Sequence, residues 1–71
     1  MREWLKEARL KAGYSQAELA KKLDISESYY FYIEDGVRQR NMDITLVTKL
    51  ALFLNLTIQQ IVEFETAWKE K

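Results

Sequence analysis

The chain has 71 residues, 48% hydrophobic and 13% aromatic, which provides for one small folded domain near the size where a core only just outweighs chain entropy. It contains neither cysteine nor histidine, which excludes disulfides, thiol nucleophiles, zinc sites and the usual general base together. Eleven Lys and Arg balance eleven Asp and Glu, so a nucleic-acid partner, which favours a basic excess, has to be argued from where the charges lie.

The opening segment MREWLKEARLKAG is amphipathic and carries both signs of charge, unlike the apolar core of a signal segment. No apolar run approaches the roughly 18–20 residues needed to span a bilayer. Together with the absence of proline, this predicts a soluble, cytoplasmic, largely helical protein with no membrane partner. Trp4, Leu5, Ala8 and Ala12 recur at helical spacing, predicting a first helix from about Arg2 to Lys11 that stops at Gly13, after which Tyr14 tucks in.

Ser15 followed by Glu18 forms a capping box: the hydroxyl accepts from a free backbone N–H while the carboxylate reaches back. Leu19, Ala20 and Leu23 then make one apolar stripe and leave Lys21 and Lys22 outside, where they read as ordinary solvated lysines. Asp24 and Ile25 break this second helix after about two turns. Ser26 is an N-cap for a third, whose first turn carries Glu27 against the positive helix end. Asp35-Gly36 closes it, glycine adopting the left-handed conformation at no steric cost. Two helices of roughly eight residues joined by a three- or four-residue turn are the layout of a DNA-reading helix-turn-helix.

Beyond Gly36 comes the polar loop VRQRNM, and Asp43 is the expected N-cap of a fourth helix with Ile44, Val47, Leu50, Ala51 and Leu54, ended by Asn55. Thr57 and Gln60 form a second capping box, opening a fifth helix with Ile58, Ile61 and Val62, extended by Phe64 and Trp68. Residues 36 to 50 hold Arg38, Arg40 and Lys49 against only Asp43. Because fields act over a Debye length of about 8 Å in physiological salt, this predicts a weak basic patch beside the third helix.

Five short helices with the motif in second and third place, and the string SQAELAKKLDIS…IEDG, resemble the lambda-repressor-like, Cro/CI-type (XRE-like) helix-turn-helix family. The resemblance rests on Arg9, Gln16, Leu19-Ala20, the turn Leu23-Asp24-Ile25-Ser26, Ile33-Glu34-x-Gly36 and a closing Leu-rich helix pair, over about residues 3 to 62. It implies an all-α, compact five-helix domain and a bacterial or phage setting. It also implies that Gln16, at the start of the second helix, touches a DNA phosphate while bonding toward the third, and that Arg9 and Glu34 form a partly buried ion pair joining the first helix to the end of the third. The chain departs from the family pattern at Asp24, where glycine is common, in a longer loop after Gly36 without proline, and in an unusually aromatic third helix.

With Tyr30 and Ile33 facing the core, steps of 100° place Ser28 and Tyr32 nearly opposite, Phe31 beside them, and Glu27 and Tyr29 on the flanks. Ser28 and Tyr32 are then the base-contact candidates. Glu27 can accept from cytosine N4, and Tyr32 or Phe31 can offer an apolar face to a thymine methyl. Ser26, Gln16, Arg38 and Arg40 position the backbone. Plainer readings stand beside these: Glu27 as a helix-dipole acid, Arg38 and Arg40 as a solvated loop, and Tyr29 and Phe31 as packed against the loop or fourth helix or simply exposed.

Leu52, Phe53, Leu56, Phe64 and Trp68 are more apolar side chains than one small core accommodates. Phe53, Leu56, Phe64 and Trp68 are accordingly expected at a homodimer interface, the alternative being a fifth helix that folds back so that Trp68 caps the monomer core. The expected function is a dimeric, sequence-specific DNA-binding transcriptional regulator, reading double-stranded DNA as a repressor, with no cofactor, metal or small-molecule ligand. A protein-interaction module, such as an antitoxin or accessory subunit using the aromatic face, is the second reading. An enzyme is a poor third, since no base–nucleophile arrangement is apparent.

Overall fold

A computed structural model describes residues 1–37 and 41–70. Five helices follow one another: α1 (Glu3–Lys11), α2 (Gln16–Lys22), α3 (Glu27–Asp35), α4 (Ile44–Leu54) and α5 (Ile58–Lys69). There is no strand among the described residues, and no single helix is long and apolar enough to cross a membrane.

Local chemistry sets the boundaries. Ser15 and Thr57 each close a capping box, with Glu18 and Gln60 answering the cap backbone, while Ser26 accepts from the Tyr29 N–H and Asp43 from the Leu46 N–H. Each meets a backbone donor that the helix itself leaves unpaired. Gly36 (φ +77°) and Asn55 (φ +57°) end α3 and α4 in the left-handed region. Asp24 also takes a positive φ, +59°, the conformation its turn position demands; Asp is among the few residue types that tolerate it at modest cost. Arg2 falls one residue outside α1, as the residue before its first turn.

Leu5, Leu19, Ala20, Leu23, Tyr30, Ile33, Leu46, Leu50, Leu54 and Ile61 form the buried core, with Trp4, Ala8, Tyr14, Ile25, Val47, Phe53 and Leu56 packed around it. The stripes differ from the expected ones at their edges. Ala12 is exposed as the C-cap of α1, and Ile44, Ile58 and Val62 are open to solvent. Ile44 and Ile58 occupy first helical positions, where the chain is still entering the bundle.

Candidate nucleic-acid interface

α2 and α3 are joined by the four residues Leu23 to Ser26, and Leu19, Ala20 and Leu23 of the first helix are buried together with Tyr30 and Ile33 of the second. Burying those two residues turns the opposite side of α3 outward. Ser26, Glu27, Ser28, Tyr29 and Phe31 are all exposed, whereas Tyr32 is half-buried. Its ring meets Phe31 edge-on, with centroids 5.9 Å apart at 65°. The first turn and a half of α3 therefore presents a carboxylate, a hydroxyl and two aromatic rings.

A carboxylate holds this helix from its other end. Glu34 is 1% exposed and accepts from Arg9 Nε at 2.9 Å and Nη2 at 3.2 Å, from Tyr30 Oη at 2.6 Å and from Gln16 Nε2 at 3.2 Å. Arg9 also donates to the Tyr14 carbonyl at 2.9 Å. One charged group thus ties α1, α2 and α3 together, and no buried side-chain polar atom among the described residues lacks a partner. Burial alone would raise the Glu34 pKa, but the hydrogen bonds from Arg9, Tyr30 and Gln16 outweigh it and hold the carboxyl below its ordinary range. Burial, with the Glu34 carboxylate beside it, pushes the Tyr30 hydroxyl well above its ordinary value. The hydrogen bond to Glu34 raises Arg9 in turn. All three groups keep their pairing-competent forms across the neutral range.

Gln16 is half-buried at the first position of α2, its amide nitrogen turned to Glu34. Its place is thus fixed relative to α3, which is what a backbone-positioning residue beside a reading helix requires. Arg38 and Arg40 lie outside the described residues. Lys49, the third cation of the expected basic patch, is half-buried and donates to the Leu23 carbonyl at 3.3 Å, where it caps the end of α2. It therefore braces the turn between α2 and α3.

Residues 5–61 match the family described as helix-turn-helix, of Cro/CI (XRE-like) type. The chain belongs to this family. The helix-turn-helix chain is also similar to an uncharacterized HTH-type transcriptional regulator, YqaF, of Bacillus subtilis (strain 168), at 42% identity over 45 residues. The match covers 63% of this chain and 59% of that relative's length. No solved structure matches the helix-turn-helix chain.

The surplus apolar side chains of α4 and α5 are partly accommodated within the chain. Phe53 and Leu56 are half-buried against the core. Phe64 stacks on Trp4, with centroids 5.5 Å apart at 16°, and stays partly open. Trp68 lies against Gly36 and under the Arg2 guanidinium, which sits 4.5 Å from its ring centroid. The fifth helix folds back, and Trp68 is half-buried within the chain, with part of its ring left open. The most open apolar residues on these helices are instead Ile44 (71% exposed), Leu52 (74%) and Val62 (53%).

Sequence reasoning missed a second ion-pair cluster. Arg2, with no exposed surface, pairs with Glu65 at 2.7 Å, and Trp4 Nε1 donates to the same carboxylate at 3.0 Å. Arg2 and Glu65 are 63 residues apart, and no local pattern marks either.

Proposed function

We propose that the chain is a sequence-specific DNA-binding transcriptional regulator that inserts the exposed N-terminal half of α3 into the major groove of double-stranded DNA. The observation that carries this reading is the exposure of that half on a helix clamped at its other end. Glu34 clamps the far end to α1 and α2, while Glu27, Ser28, Tyr29 and Phe31 stand clear of the core. Family membership and the regulator named in Bacillus subtilis support it. Ser28 hydrogen-bonds bases, Glu27 accepts from cytosine N4, and Phe31 and Tyr29 offer apolar faces to thymine methyls, with Tyr32 behind them. Gln16 and the N-terminus of α3, with Ser26, meet the phosphates, as do Arg38 and Arg40.

A single module makes few base contacts. The proposal therefore includes a homodimer, which doubles them and reads half-sites about 34 Å apart, acting as a repressor that occludes a promoter. Its interface draws on the parts of Phe53, Leu56, Phe64 and Trp68 left uncovered by the chain itself; the more exposed Leu52 and Val62 extend the apolar surface open to a partner.

Selection from random duplexes at low salt tests this directly. The expected result is an enriched, roughly palindromic site whose affinity falls with salt at a log–log slope of about −0.9 per phosphate contact. No enriched site overturns the reading. One observation keeps the protein-interaction reading in play: Tyr29, Phe31 and Val37 are exposed apolar side chains in a chain without net positive charge. Affinity that is indifferent to salt and independent of duplex sequence favours that alternative.

A further inference from the structure

An α-helix leaves its last four carbonyls without intrahelical donors. At the end of α3, two of these are met by Arg2, which lies 31 residues from the first of them. The Arg2 backbone N–H donates to the Glu34 carbonyl at 2.7 Å, and its Nη1 donates to the Ile33 carbonyl. The guanidinium thereby sets a positive charge at the negative end of the helix dipole. On its other side Arg2 is gripped by α5: Nε and Nη2 donate to Glu65 at 2.7 and 3.2 Å, and its guanidinium carbon lies over the Trp68 ring. Trp68 in turn packs against Gly36, the left-handed cap of α3, so closely that a Cβ there would fall 2.6 Å from Cζ2.

The start of α1 and the last turns of α5 thus converge on the C-terminal end of the helix whose other end is offered to solvent. We propose that Arg2, held by Glu65 and Trp68, is a positioning residue for DNA reading: it sets the tilt of α3 and so the direction in which Glu27, Ser28, Tyr29 and Phe31 project. The inference rests on the DNA-binding function proposed above. Leverage makes the effect sizeable. α3 has nine residues, about 13 Å of helix, so a tilt of about 5° at the clamped end moves the reading end by about 1 Å. Good base-edge hydrogen bonds occupy a range of only about 0.5 Å. Arginine is required because one planar fork must bond a carboxylate and a carbonyl while stacking on an indole, which an ammonium does not do.

The test compares the wild-type chain with Arg2→Lys, Glu65→Gln and Trp68→Leu at a temperature where circular dichroism finds them folded. Each is measured for affinity to the selected duplex and to a random duplex across a salt series. The expected result is a fall in the selected-to-random ratio of about tenfold, the discrimination carried by about one base pair, with the salt slope unchanged. Arg2→Lys should fail to restore the ratio although it keeps the charge. Glu65→Gln keeps the side-chain shape and decides between the outcomes where Arg2→Lys does not fold. Equal weakening on both duplexes, or wild-type discrimination in folded Glu65→Gln and Trp68→Leu, marks a merely structural cluster and overturns the proposal alone. Failure of the wild-type chain to select any site overturns it together with the DNA reading.

Discussion

Glu34→Gln is the sharpest perturbation of this fold, because it removes one charge and almost no volume. The carboxylate accepts four hydrogen bonds, two from Arg9 and one each from Tyr30 and Gln16. The amide substitutes a donor for one accepting oxygen, so at least one of these donors then faces an N–H. The Arg9 side chain is only 7% exposed, and its charge is left buried beside a neutral group. Removing one partner of a buried pair costs about 3–5 kcal/mol; because the amide retains one accepting oxygen, the lower end, about 3 kcal/mol, is expected. A domain of this length holds about 4–11 kcal/mol in total, so the variant loses roughly a quarter or more of its stability. At about 4–8 °C per kcal/mol for a domain of this size, the midpoint falls by about 12–24 °C. Urea unfolding followed by circular dichroism measures it, with a lower midpoint and an unchanged m value. A cost under about 1 kcal/mol for Glu34→Gln refutes the assignment of Glu34 as a buried hub.

Stability should show an acid limb from the same residue. The folded Glu34 pKa lies below its ordinary value, so its contribution is present above the unfolded carboxylate pKa of about 4.3 and is lost as pH falls through the folded one; Glu34→Gln should flatten that limb in urea titrations. Tyr30 is shifted the opposite way, so its contribution is complete below about pH 10 and disappears as pH rises toward the folded value, an alkaline limb that Tyr30→Phe removes. Gly36→Ala and Gly13→Ala both place a side chain at positive φ, +77° and +87° respectively, but only the first meets Trp68. Gly13→Ala should cost about 1–2 kcal/mol of left-handed strain, while Gly36→Ala costs more and also changes Trp68 fluorescence; equal costs with unchanged fluorescence refute the close approach. Asp43→Ala removes the cap that accepts from the Leu46 N–H at 2.8 Å and should cost about 1 kcal/mol, measured by thermal unfolding.

Much of this protein is written in interactions only three or four residues long, and these are legible in the chain. Ser15 with Glu18, Ser26, Asp43, and Thr57 with Gln60 start helices because each offers an oxygen to a backbone donor one turn ahead. Gly36 and Asn55 end helices because they tolerate positive φ, and the burial of Tyr30 and Ile33 follows from helical periodicity. The exposed face of α3 can therefore be drawn from sequence, apart from Tyr32, whose half-burial depends on its neighbours. Tertiary packing alone decided the long-range partners. Lys49 reaches the Leu23 carbonyl, and Arg2 belongs to Glu65, Trp68 and the end of α3. A charged side chain near a terminus is solvated by default. Only when α1 and α5 close over the C-terminal end of α3 do its unpaired carbonyls and a carboxylate 63 residues away create a place where that charge is stable without water.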